Sequence, residues 1–240
     1  MSRMIDLYHG STAIIRQPEH GFGRKYNDYG LGFYCTESEA MAKEWACSSL
    51  EDGFANHYRL DLEDLRILNL NCEDYTILNW IAVLVSHRLF RVRTPIAGRA
   101  RRYLEEHFYV NVNAYDVVIG YRADDAYYDF ADAFLNNAIT VEQLSRAMRL
   151  GKLGEQVVLK SRPAFDRLQF ADFSIAESNI YYPKRKARNY DAELDYLTIQ
   201  KEDADGLFMI DIIRGEVKND DARIPRNIPE QSNGSSGRCL

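Results

Sequence analysis

Ile5-Asp6-Leu7-Tyr8-His9-Gly10-Ser11 alternates apolar with polar side chains and then meets a glycine, the pattern of a short half-buried strand. After it, residues 16–32 are polar and carry Gly21, Gly23, Gly30 and Gly32, which reads as a loop. The loop feeds a second short strand, Phe33 to Cys35. Thr36 followed by Glu39 has the spacing of a capping box, so a helix is expected through Ala40, Ala42 and Trp45.

Farther along, His57 to Leu62 and Arg66 to Leu70 read as strands. Ile77, Leu78, Ile81, Leu84, Val85 and Leu89 recur at helical spacing, and Arg99 to Phe108 predicts another helix. Asp116 to Tyr121 is a β-branched strand, Asp125 to Asn137 a helix, and Thr140 with Gln143 a second capping box for a helix reaching Leu150. After a Gly151 to Gly154 turn, Gln156 to Lys160 is a strand; Tyr190 to Leu197 reads as helical, and Leu207 to Ile213 has the length of a strand. Strands and helices mix without regular βαβ alternation, so the fold class is α+β rather than a doubly wound sheet. One domain over 1–217 is expected, with the polar stretch 218–240 as a disordered tail.

Bulk properties narrow the function classes. The net charge of −6 argues against a generally basic nucleic-acid binder. The apolar run Ile81 to Val85 is too short to span a bilayer, and Met1 to Gly10 has no secretory h-region, so a cytoplasmic protein without membrane contact is expected. Cys35, Cys47, Cys72 and Cys239 form no CxxC pair and read as reduced thiols. The five histidines form no cluster at zinc-ligand spacing, so no metal is expected. Neither GxGxxG nor GxxxxGK[ST] occurs; a dinucleotide would have to be held some other way.

Three segments, in order, carry a resemblance. They are Leu7-Tyr8-His9-Gly10-Ser11, then Asp28-Tyr29-Gly30-Leu31-Gly32-Phe33-Tyr34-Cys35-Thr36, then Leu153-Gly154-Glu155-Gln156-Val157-Val158-Leu159-Lys160-Ser161, with Asp116-Val117-Val118-Ile119-Gly120 and Ala123-Asp124-Asp125 between the last two. Together, over residues 5–172, they resemble bacterial DUF3990-type proteins of the ADP-ribosyltransferase superfamily, in its His-Tyr-Glu branch with Gln at the third position. The resemblance implies a split β-sheet core with peripheral helices and NAD as co-substrate. It places His9 on the adenosine ribose, the backbone of Gly10 on the nicotinamide amide, and Tyr34 against the nicotinamide ring, with Ser11 and Thr36 completing the NAD-binding set. An aromatic face suits that cationic ring through stacking and cation–π attraction.

Cleavage of the nicotinamide–ribose bond passes through an oxocarbenium-like state, which a carboxylate near the 2′-hydroxyl stabilises. Here Gln156 falls at the catalytic Glu position, with Glu155 one residue earlier. Neighbours on a strand face opposite ways, and an amide cannot act as a base. Gln156 pointing inward is one arrangement; Glu155 reaching in from the strand entrance is another, and Asp124 or Asp125 is a third source of the carboxylate.

The expected activity is therefore an NAD-dependent ADP-ribosyltransferase, a transferase of the glycosyltransferase class, acting on a macromolecular acceptor. A non-catalytic NAD- or ADP-ribose-binding or interaction module is the alternative, raised by Gln156. The resemblance further implies a toxin of a toxin–antitoxin or phage-defence system, with an antitoxin protein as partner. The acceptor is protein or nucleic acid. Tyr181, Tyr182, Lys184, Arg185, Lys186, Arg188 and Tyr190 interleave aromatic and basic residues, which either contact nucleic acid or form a solvated face before a helix.

Overall fold

The computed structural model describes residues 3–90, 94–123, 125–150, 155–202 and 205–227. The Gly151 to Gly154 turn, Asp124 and the segment 228–240 lie outside the described residues. The fold is α+β, with two sheets. The first is antiparallel and ordered β1 (Met4–Ser11), β3 (Gly53–Asp61), β7 (Leu168–Ala176). The second is ordered β2 (Phe33–Cys35), β6 (Glu155–Leu159), β5 (Val117–Tyr121), β4 (Ile67–Asn69). Its β4–β5 pair is parallel, and the chain crosses between those strands through α2 (Ile77–His87) and α3 (Pro95–His107), as a parallel pair requires.

One bridge joins the sheets, Tyr8 opposite Thr36, with backbone hydrogen bonds of 2.7 and 3.0 Å. Along β1, Gly10 faces the helix α1 (Glu39–Ala46), while Leu7 faces an apolar layer between the sheets with Cys35, Leu60, Val117, Ile119, Val157 and Leu159. Gly10 is required there: a Cβ would lie 2.1 Å from the Ala42 carbonyl oxygen. On the outer face of the second sheet, α2 is buried from Ile77 to Val85, apolar all round as a core helix should be. Against it pack α3 and α5 (Val141–Ala147), with α4 (Asp125–Leu135) on both of these and α7 (Ser178–Lys201) on α1, α4 and α5. The Thr140–Gln143 capping box forms as expected.

Several expectations are corrected. Thr36 does not cap α1, because its backbone is committed to the bridge with Tyr8; Ser38 is the N-cap and accepts from Met41 N, while Glu39 pairs with Lys43 at 2.8 Å. Leu207 to Ile213 is not a strand. Met209 and Ile212 are buried while Asp211 is exposed, helical spacing, and Asp211 accepts from Phe208 N to start α8 (Met209–Arg214). The helix expected from Tyr190 begins twelve residues earlier, at Ser178, and contains Pro183. β7 and the short α6 (Arg162–Asp166) were not among the expected elements.

Residues 218–227, expected in the tail, pack on the domain: Ile224 is buried and Asn227 donates to Leu70 O. Cys35 and Cys47 are free and buried, but Cys72 is half of a disulfide, against the reading of four reduced thiols. Among the described residues no helix is long and apolar enough to cross a membrane.

Two measurements check this packing. Gly10→Ala is expected to destabilise the protein by about 3 kcal/mol in urea unfolding, because the methyl meets backbone that cannot yield. Asp116, at the head of β5, is held down to about 2 from an ordinary 3.8, first by its hydrogen bond from the Arg66 guanidinium. A lowered carboxyl stabilises the fold above its unfolded value, so this contribution is complete above pH 3.8 and declines as pH falls towards 2. Asp116→Asn is expected to remove that part of the acid dependence.

Candidate active site

The two sheets part immediately after the Tyr8–Thr36 bridge, and a cleft of about 440 Å³ opens there. His9 and Ser11 line it from β1, Tyr34 from β2, Gln156 from β6, Trp45 from α1, and Asp28 from the loop before β2. The cause of the parting is a side chain. A continued ladder would set Gly10 opposite Tyr34, but the His9 ring takes the Tyr34 carbonyl instead, at 2.7 Å from Nδ1.

That bond sets the chemistry of both partners. A carbonyl only accepts, so Nδ1 carries the proton and Nε2 of the neutral ring is an acceptor. Burial pushes the His9 pKa below its ordinary 6.5, against the opposing pull of the Tyr34 carbonyl. The ring also stacks on Phe33 at 4.3 Å. Because Tyr8 directs its N–H and C=O towards β2, Gly10, two residues on, directs its own the same way. Among the described residues neither Gly10 group has a hydrogen-bond partner, so a donor and an acceptor of one residue face the split.

Tyr34 offers its ring and not its hydroxyl. The hydroxyl donates to Gly30 O at 2.6 Å and accepts from Tyr29 N at 3.1 Å. Burial, and then the charge of Asp28, drive its pKa well above the ordinary phenol value. Gly30 sits at φ 73°, and a Cβ there would press on the His87 ring at 3.1 Å, so this tie needs glycine. Lys160 holds the same loop, donating to Tyr29 O at 2.6 Å and Leu31 O at 2.7 Å; burial lowers its ammonium to about 8.

Gln156 points inward and is 4% exposed. Its Nε2 donates to Asp28 Oδ2 at 3.0 Å, which fixes the amide and leaves Oε1 buried without a partner. Asp28 is itself buried; its Oδ1 accepts from Arg88 Nε at 2.7 Å and its Oδ2 also from Ala123 N at 2.9 Å. This carboxylate is fully engaged and orients its neighbours. On the rim, the Arg122 guanidinium lies 3.7 Å over the Trp45 ring.

Of the residues expected from sequence, His9, Ser11, Tyr34 and Gln156 meet in the cleft, with the Gly10 backbone beside them. Glu155 does not. It faces the other side of β6 and accepts from Asn71 Nδ2 at 2.8 Å, because strand neighbours alternate. Thr36 is buried under the bridge, its hydroxyl accepting from Ser38 N. Asp124 and the side chain of Asp125 are outside the described residues. Sequence reasoning missed Asp28, Arg88, Trp45 and Arg122 as cleft residues. Asp28 opens the second quoted motif, yet no local signal links it to Arg88, sixty residues away. Among the described residues no group of three or more His, Cys, Asp or Glu is placed to hold a metal.

The model of the family described as protein of unknown function, DUF3990, matches residues 5–170, and the chain belongs to that family. No curated protein and no solved structure matches it.

Arg88→Met removes the charge that balances the buried Asp28. It is expected to cost about 3 kcal/mol in chemical unfolding, and Arg88→Met/Asp28→Asn is expected to recover part of that loss.

Proposed function

We propose that the cleft binds NAD and that the protein is an NAD-dependent ADP-ribosyltransferase. The observation that carries this reading is the set of unsatisfied groups around the point where the sheets part. The Gly10 N–H and C=O complement a primary carboxamide such as that of nicotinamide. The Tyr34 ring suits the pyridinium face. His9 Nε2 is an acceptor at the cleft and Gln156 Oε1 is a buried acceptor without a donor; ribose hydroxyls would supply donors to both. Arg122, over the Trp45 ring at the rim, puts positive charge where a pyrophosphate would add negative charge.

On this reading the bond from ribose C1′ to the nicotinamide nitrogen breaks, and its electron pair leaves with neutral nicotinamide. Gln156 Oε1 accepts from the ribose 2′-hydroxyl and thereby favours the developing positive charge. The macromolecular acceptor bonds to C1′ and releases its proton to solvent. A toxin of a toxin–antitoxin or phage-defence system, neutralised by an antitoxin protein, is the biological role proposed with it. The second reading is a non-catalytic NAD- or ADP-ribose-binding module, favoured by one observation: Asp28 is fully engaged and Glu155 faces away, so neither serves as a base.

Incubation with radiolabelled NAD and cell extract separates the two. Label transfer is expected, falling at least a hundredfold in Tyr34→Ala and Gln156→Ala; binding without transfer would leave the module, and no binding would overturn both. Titration gives an independent check. The neutral His9 ring is needed as an acceptor, and its pKa is lowered, so ADP-ribose affinity is expected to stay flat from pH 8 to the ordinary 6.5 and to fall below that. His9→Gln is expected to remove the dependence.

A further inference from the structure

The first half of α7 has an unbalanced charge. From Ser178 to Tyr190 it carries Lys184, Arg185, Lys186 and Arg188 with no Asp or Glu, whereas Asp191, Glu193 and Asp195 follow at once. Exposed helical lysines are ordinarily eased by acids three or four residues away. The neighbours of Lys184 at that spacing are Ile180, Tyr181, Ala187 and Arg188, and those of Lys186 are Tyr182, Pro183, Asn189 and Tyr190. The pair Lys184 and Arg188 repels at i,i+4.

Two nearby cations have work inside the fold. Arg188 grips the buried Glu44 of α1 with bonds of 3.0 and 2.8 Å, and Lys43 pairs with Glu39 at 2.8 Å. Lys184 and Lys186 are exposed, and each is held near a tyrosine ring: Lys184 lies 4.9 Å from the centroid of Tyr181 and Lys186 lies 5.9 Å from that of Tyr182. Tyr190, one turn on from Lys186, is 59% exposed and presents a free-standing ring face.

The place of this patch gives it a use. Helix α1 contacts α7 through Glu44 and lines the cleft with Trp45, so the helix that carries the patch packs on a helix that walls the cleft. We infer that the exposed surface of the first half of α7, flanked by Lys184 on one side and by Lys186 with Tyr190 on the other, binds single-stranded nucleic acid, the two lysines on phosphates and Tyr190 under a base. Phosphate charge answers the unbalanced lysines, and base stacking answers the exposed ring. A strand held there passes beside the cleft, which on the proposed function makes it the acceptor; the binding itself does not depend on that function.

The test measures fluorescence anisotropy of labelled oligo(U) and oligo(dT), about 20 nucleotides long, with the whole protein and no NAD. Binding is expected to weaken with salt at a log–log slope of about −1.4, from about two phosphate contacts. Lys184→Glu/Lys186→Glu is expected to lose at least tenfold in affinity, with an unchanged thermal melt. Lys201→Glu, at the other end of the same helix, is expected to change nothing. If charge reversal perturbs folding, Lys184→Gln/Lys186→Gln gives the same comparison. The inference is overturned if neither oligonucleotide binds at low salt, if the double variant binds like the parent, or if only phosphatidylserine vesicles bind. A preference between the two oligonucleotides assigns RNA or DNA. Because NAD is absent, a negative result here leaves the NAD-binding reading standing, and loss of label transfer leaves this one standing.

Discussion

The hydrogen bond from the His9 ring to the Tyr34 carbonyl stands where a backbone ladder bond would otherwise run. Had Gly10 paired with Tyr34, β1 and β2 would have zipped together beyond Tyr8 and Thr36, and no cleft would lie between the sheets. The ring holds the two strands at a side chain's distance while still satisfying the carbonyl. It also fixes its own tautomer and leaves the Gly10 peptide groups facing open space. One side-chain contact thus produces the opening and much of its polarity.

The wall opposite is built by charge balance. Asp28 is buried, and such a carboxylate persists only with partners; Arg88, Ala123 N and Gln156 Nε2 supply them. The same arrangement leaves Gln156 Oε1, on a residue that lines the cleft, a buried acceptor with no protein donor. The Asp28 carboxylate, which the sequence did not single out, acts on the orientation of an amide. The loop that carries it is tied by the Tyr34 hydroxyl and by Lys160, so ring, loop and amide are positioned together.

Helix α1 couples this site to the rest of the surface. Gly10 lets it lie against β1, Trp45 enters the cleft, and Glu44 anchors α7 through Arg188. The contact also divides the basic, tyrosine-rich stretch into a structural part and an exposed part, a division invisible in the order of residues.

The sequence by itself determined the local pieces. Alternation in Ile5 to His9, the apolar run of Ile77 to Val85 and the Thr140–Gln143 pair each encode an element through nearest neighbours, and those elements formed. His9, Tyr34 and Gln156 were legible because short motifs hold them on strands. Where two local patterns competed, sequence misled: Thr36 and Ser38 both precede Glu39, and only the Tyr8 bridge decides which one caps. Leu207 to Ile213 has the length of a strand, yet packing against the helical core made it helical. Tertiary structure alone brought Arg88 to Asp28, turned Glu155 to Asn71, and packed Ile224 and Asn227 on the domain. Those choices depend on burying charge and apolar surface among residues distant in the chain, a requirement that no window of sequence contains.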